Sequence, residues 1–175
     1  SLQFIQQEMN NITALSNETC QLGIQSRNMV LYIAKKDSPQ PIRLMSSVGK
    51  QLPLYCTGLG RALLAYKSEE EIRSLFPEVL TAYTPHTIAT INDLLKELEL
   101  TRQRGYAVEH EETNLMVNCI AVSLDYNNAP IAALSISIPT FRISESKEKE
   151  AVQILWEAKQ RIETHFKMYG VDFGN

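Results

Sequence analysis

Nothing in this sequence gathers positive charge into one place. Its 17 Lys and Arg residues stand against 20 Asp and Glu, a net charge of -3, and no basic run is longer than Lys35-Lys36. A compact domain that grips nucleic acid needs a clustered basic footprint, so this chain is not expected to hold DNA by itself. The three cysteines, Cys20, Cys56 and Cys119, form no CxxC pair and have no His cluster beside them. That excludes a disulfide framework and a structural zinc, and it fits a reducing cytoplasm. No apolar stretch approaches the ~18 residues of a membrane span, and the polar N-terminus lacks the charged-then-apolar order of a signal peptide. Internal repeats and low-complexity segments are missing too. The Ser at position 1, where an initiator Met would stand, leads us to expect a fragment or a processed product.

What remains is ordinary globular material: 175 residues, 44% hydrophobic and 21% charged, enough for one domain with its own core. Leu2, Ile5, Met9 and Ile12 recur at helical steps within residues 2 to 16. The stripe is narrow, and it predicts a connecting or pairing helix rather than a core helix. From Gln21 the pattern changes to short β-favouring runs, one centred on Met29 to Ala34 and one from Pro41 to Val48. Thr57 is placed to cap a helix through Leu59, Leu63 and Leu64, and Ser68 with Glu71 has the spacing of a capping box for a helix that ends before Pro77. Thr90 to Arg104 reads as a helix closed by Gly105. A short strand from Tyr106 to Glu109 precedes a hairpin of Asn118 to Tyr126 and Pro130 to Ile138 about Asn127-Asn128, and Ser144 opens a terminal helix. This order does not alternate as βαβ, so the expected class is α+β, an antiparallel sheet flanked by helices.

Three features could carry chemistry. In the last strand, alternation puts Ile131, Ala133, Ser135 and Ser137 on one face and Ala132, Leu134, Ile136 and Ile138 on the other. Its partner sets Cys119, Ala121 and Ser123 against Ile120, Val122 and Leu124. A register with Cys119 opposite Ser135 joins the small, weakly polar faces; a strict two-residue turn would set Ile120 opposite Ser135, so a longer or bulged turn is expected. The second feature is Thr57-Gly58-Leu59-Gly60 at the start of a helix, where free N–H groups suit a carboxylate or phosphate. The same glycines would equally serve close packing, and the segment is neither a Walker A loop nor a GxGxxG fingerprint. The third is Glu109-His110-Glu111-Glu112, a cluster of the kind usually found in a solvated loop. A Cys119–His110 nucleophilic pair would make the chain a cysteine-dependent enzyme, although adjacent strand residues such as Glu109 and His110 face opposite ways. His86 has no ligand-spaced partner for a metal.

Taken in order, Pro53 through Ala65, Tyr83-Thr84-Pro85-His86-Thr87-Ile88, Arg104-Gly105-Tyr106, Glu111-Glu112 with Cys119-Ile120-Ala121, and Ala133-Leu134-Ser135-Ile136-Ser137 resemble the C-terminal effector-binding domain of the IclR family of bacterial transcriptional regulators, over residues 20 to 168. The resemblance implies a GAF-like fold, related to profilin and PAS folds. Residues 1–18 would be the end of an interdomain linker helix and residues 19–175 the effector-binding domain. DNA would be contacted only by a winged helix-turn-helix domain absent from this chain, in a homodimer or homotetramer. A small-molecule effector such as a hydroxy-, keto- or sugar acid would be the ligand, with no cofactor, metal, catalytic residue or membrane partner.

Carried over by position, the effector contacts fall on Gly58, Leu59, Glu109, Cys119, Ser135 and Ser137, with Thr57 beside them. The chain departs from the family pattern at Met116 and Asn118, where Gly and Arg are common, at Ile138 in place of a frequent Gly, and at Glu109 in place of Asp. Met116, Asn118 and Ile138 are therefore expected to shape the pocket. An oligomerisation module with a vestigial pocket, filled by Leu59, Met116 and Ile138, is the alternative.

Overall fold

Helix and strand periodicities resolve into eleven main elements in the computed structural model, which describes residues 1–40 and 47–173. They are α1 (Leu2–Ser16), β1 (Thr19–Ser26), β2 (Met29–Lys36), β3 (Gln51–Pro53), α2 (Gly58–Leu64), α3 (Glu69–Leu75), α4 (Ile91–Arg104), β4 (Ala107–His110), β5 (Val117–Tyr126), β6 (Ala129–Pro139) and α5 (Glu145–Tyr169). Of the strand expected from Pro41 to Val48, residues 41–46 lie outside the described residues, and Val48 sits in a turn.

The helix ends follow local chemistry. Ser68 and Glu71 close a reciprocal capping box on α3. Thr90 accepts the Asp93 N–H at the start of α4, and Gly105, at φ 83°, returns its N–H to Thr101 at the end. That left-handed backbone is strained for residues with a Cβ, which is why the helix stops at this glycine.

The six strands form one antiparallel sheet in the order β3-β2-β1-β6-β5-β4. Period-two alternation divides the core between its faces. Leu22, Ile120, Val122, Leu124, Leu134, Ile136 and Ile138 pack on one side with α1 and α5. Ala121 and Ala133 pack on the other beneath α2 and α4.

The expectation for α1 is corrected here. Ile5, Met9 and Ile12 are at most 1% exposed and belong to the core against α5, and Glu8 pairs with Arg161 of α5 at 2.9 Å. A narrow stripe suffices because α1 fills a seam between a long helix and the sheet rather than covering a face.

The hairpin has the expected bulge, but with a different register from the one expected. The turn is a strict two-residue one, with Tyr126 opposite Ala129 and Asn127 and Asn128 both at positive φ. A register shift then occurs at Leu124/Asp125, where the partners jump from Pro130 to Ala132. Cys119 consequently faces Ser137, and Ala121 faces Ser135. The pairing of Cys119 with Ser135 is off by two residues, a displacement that preserves which face each side chain takes. Ile131, in the bulge, packs instead with the α1–α5 core.

Candidate functional site: a polar cavity on the open face of the sheet

The small residues on the α2 face leave space that bulky side chains would fill. Cys119 of β5, Ser135 and Ser137 of β6 and Glu109 of β4 share that face with Gln21 and Tyr32 of β1 and β2. The first turn of α2 and the Thr113–Asn114 loop close over them, leaving a cavity of about 300 Å³. All seven residues expected to contact an effector, Thr57, Gly58, Leu59, Glu109, Cys119, Ser135 and Ser137, line this one space.

The three residues expected to shape it do not. Met116 is half exposed at positive φ, and Ile138 is buried in the α1–α5 core on the far side of the sheet. Asn118 shares the parity of Ile138, and its amide donates to the Ile138 carbonyl at 3.2 Å and to Thr140 Oγ1 at 2.9 Å. For Asn118 and Ile138 strand alternation is the reason, since the neighbours of Cys119 and Ser137 in sequence are on the opposite face; Met116 stands in the turn before β5. Because Met116 and Ile138 stay out of the space, the cavity is not filled as a vestigial pocket would require.

The two glycines of the α2 segment have separate jobs. A Cβ on Gly60 would lie 2.1 Å from the Leu54 carbonyl oxygen and 2.4 Å from its Cα, so Gly60 permits close packing of the helix on its own entry loop. A Cβ on Gly58 would come 3.0 Å from the Cys119 Cβ, at the cavity wall. Thr57 positions this turn: its hydroxyl donates to the Pro53 carbonyl at 2.8 Å and accepts the Gly60 N–H at 3.1 Å. The Gly58 and Leu59 N–H groups, in the first helical turn, have no intrahelical acceptor.

Two residues of the acidic cluster, Glu109 and Glu112, are buried, contrary to the solvated-loop expectation, while His110 is exposed and Glu111 half-buried. Glu109 is 1% exposed; it accepts the Glu112 N–H at 2.7 Å and, at 3.5 Å, the Thr113 hydroxyl. Burial raises its carboxyl to about 7, outweighing the lowering by the Glu112 N–H and by Arg61. Arg61, also 1% exposed, donates to Tyr55 and Val108 carbonyls and pairs with Glu112 at 2.5 Å. Glu112 in turn accepts the Ile88 N–H, and Thr87 and Thr84 donate to the carbonyls of Glu112 and Glu111. The Tyr83–Ile88 motif thus fixes the loop that carries Glu112, and Arg61 ties α2 to β4.

Ser135 and Ser137 both donate to Gln21 Oε1, at 3.0 and 2.6 Å. Their protons are therefore given to Gln21, and their oxygens are left to accept. Gln21 escaped sequence reasoning because the β1–β6 pairing that brings it opposite Ser135 joins residues more than a hundred apart. Tyr32, Lys50, Leu52, Thr113, Asn114 and Val117 also line the space without having been singled out. For the strand residues Tyr32, Leu52 and Val117 alternation was the only signal; Lys50, Thr113 and Asn114 lie outside strands and had none.

The Cys119–His110 pair is not formed. Cys119 Sγ lies 3.1 Å from Ser137 Oγ, and burial pushes its thiol well above its ordinary value. His110 is exposed and engages Asn118 at 3.0 Å. Among the described residues no group of three or more His, Cys, Asp or Glu could hold a metal ion, and no helix is long and apolar enough to cross a membrane.

Residues 2–164 match the family described as bacterial transcriptional regulator IclR C-terminal. The chain is 38% identical over 157 residues to the HTH-type transcriptional regulator KdgR of Dickeya chrysanthemi, covering 89% of this chain and 52% of that protein. It is 33% identical over 158 residues to the HTH-type transcriptional repressor AllR of Escherichia coli K12, covering 89% of this chain and 58% of the relative. The chain thus spans little more than half the length of these relatives. The crystal structure of the C-terminal domain of E. coli KdgR superposes with a TM-score of 0.85 at 32% identity, over 97% of this chain and 98% of that one.

Proposed function

Since the chain belongs to the IclR family of bacterial transcriptional regulators, as an IclR C-terminal domain, we propose that it senses a small carboxylate metabolite in the cavity beneath α2. The observation that carries this reading is the cavity itself: about 300 Å³, at the lower end of ligand-site volumes, and walled by a buried carboxyl, two serines and the first turn of a helix. The effector's carboxylate sits on the Gly58 and Leu59 N–H groups. Its hydroxyls donate to Glu109 and to the Ser135 and Ser137 oxygens, whose own protons go to Gln21. An aldonic or ketoaldonic sugar acid meets both demands, with an anion at one end and donors along its length. A ligand with hydroxyls gains these bonds over one that only accepts.

In the full-length regulator, DNA is contacted by a winged helix-turn-helix domain outside these 175 residues, in a cytoplasmic homodimer or homotetramer. Effector binding alters DNA affinity only if it differs between two assembly states that space those domains differently. We read the domain as a sensor and not an enzyme: the Cys119–His110 pair is not formed, and the relatives above are named as regulators.

A thermal-shift and calorimetry screen of hydroxy-, keto- and sugar acids against wild type and Ser135→Ala tests the proposal. At least one acid is expected to stabilise the wild type, with affinity about tenfold weaker in Ser135→Ala, the effect of one lost hydrogen bond. No stabilisation by any acid at millimolar concentration contradicts the reading.

A further inference from the structure

One polar group in the cavity wall is left over once the effector contacts above are accounted for. Tyr32 is 6% exposed and packs among Val30, Leu54 and Leu59, yet its hydroxyl has no hydrogen-bond partner among the described residues. The other buried polar groups of the wall, Thr57, Gln21, Ser135, Ser137 and Glu109, all have partners. Tyr55, the neighbouring buried phenol, donates to the Thr81 carbonyl at 2.6 Å. The hydroxyl is not sealed inside the fold: Tyr32 lines the cavity, so an acceptor on a ligand can reach it.

Lys50 stands next to it. The Tyr32 N–H donates to the Lys50 carbonyl at 3.0 Å and the Tyr32 carbonyl accepts the Gly49 N–H at 2.7 Å, so the backbone clasps the two residues together from both sides. Lys50 lines the same cavity, is exposed, and makes no ion pair among the described residues. A phenol O–H and an ammonium both donate, and what they recognise in common is an oxygen acceptor.

We propose that Tyr32 and Lys50 form a second recognition point in the cavity and make it selective for bifunctional acids, which carry an oxygen-bearing group beyond the carboxylate. This rests on the reading of the cavity as an acid-binding site. The Gly58–Leu59 turn supplies donors at one point, Tyr32 and Lys50 supply them at another, and Glu109 with the two serines supplies acceptors. An acid of two or three carbons satisfies one donor point only. A hydroxy or keto acid of five or six carbons, or a dicarboxylate, satisfies both.

The test is calorimetric titration of wild type, Tyr32→Phe and Lys50→Gln with glyoxylate, lactate, succinate, 2-oxoglutarate and gluconate, together with the melting temperature of each variant without ligand. The wild type is expected to favour the best longer acid over the two short ones by at least tenfold. Each substitution should weaken the longer acid about tenfold and leave the short ones unchanged. Tyr32→Phe should also melt close to the wild-type temperature when empty, because the hydroxyl makes no hydrogen bond within the described residues; a residue kept for packing alone would not combine unimpaired stability with lost selectivity. If the wild type binds short and long acids equally, or the substitutions weaken both classes alike or neither, the second recognition point does not exist while the acid site stands. If the wild type binds none of these probes, both proposals fall together.

Discussion

Replacing Glu109 by Gln should alter how the stability of the domain depends on pH, in a direction fixed by the structure. The side chain is 1% exposed, and desolvation lifts its carboxyl from an ordinary 4.5 to about 7. The folded pKa lies above the unfolded one, so folding favours the protonated form. The stabilisation is therefore fully present below about pH 4.5 and is lost as pH rises through 7. At 1.36 kcal/mol per pH unit, the wild type should lose about 3 kcal/mol from this residue across that window, most of it between pH 5 and 8. Gln at the same place keeps an acceptor for the Glu112 N–H but does not titrate. Urea denaturation followed by far-UV circular dichroism at pH 5, 6, 7 and 8 reads the difference, since groups common to both proteins cancel. Glu109→Gln should gain on the wild type steadily as pH rises. Parallel profiles would refute the reasoning, because they would mean that Glu109 is solvated or ionised throughout.

Gly60→Ala should destabilise the domain at or beyond the ~3 kcal/mol upper end of ordinary overpacking, because the new Cβ meets Leu54 backbone atoms that have no room to yield; chemical denaturation checks this. Arg61→Met leaves Glu112 buried without its partner and should cost about 3–5 kcal/mol, whereas Arg61→Met combined with Glu112→Gln should recover part of it. A double variant no more stable than the single one would show that Glu112 is held by its N–H and hydroxyl neighbours alone.

The fold was legible wherever local chemistry decides it. Ser68 with Glu71, Thr90 and Gly105 mark helix ends that the structure places where spacing put them, because a cap is satisfied within a few residues of itself. Strand parity placed Cys119, Ser135 and Ser137 on one face for the same reason. Parity does not say which residue lies opposite which. The register depended on a bulge at Ile131, and the approach of Gln21 on a pairing between distant strands. Glu109 was legible as a pocket residue only through the family resemblance, since its burial rests on Arg61, Glu112 and the Thr84–Thr87 turn closing around it. Met116, Asn118 and Ile138 were expected to shape the pocket because they depart from the family pattern, but Asn118 and Ile138 have the opposite strand parity to Cys119 and Ser137, and Met116 lies outside the strand.

The claim that the cavity beneath α2 is the effector site is tested most directly by titrating ¹⁵N-labelled domain with the acid that gives the largest thermal shift and following the amide resonances. Saturable shifts should be largest at Gly58 and Leu59 and along Glu109 to Asn114. Shifts centred instead on the open groove formed by Tyr66, Asp125 to Asn128 and Lys167 would contradict the account.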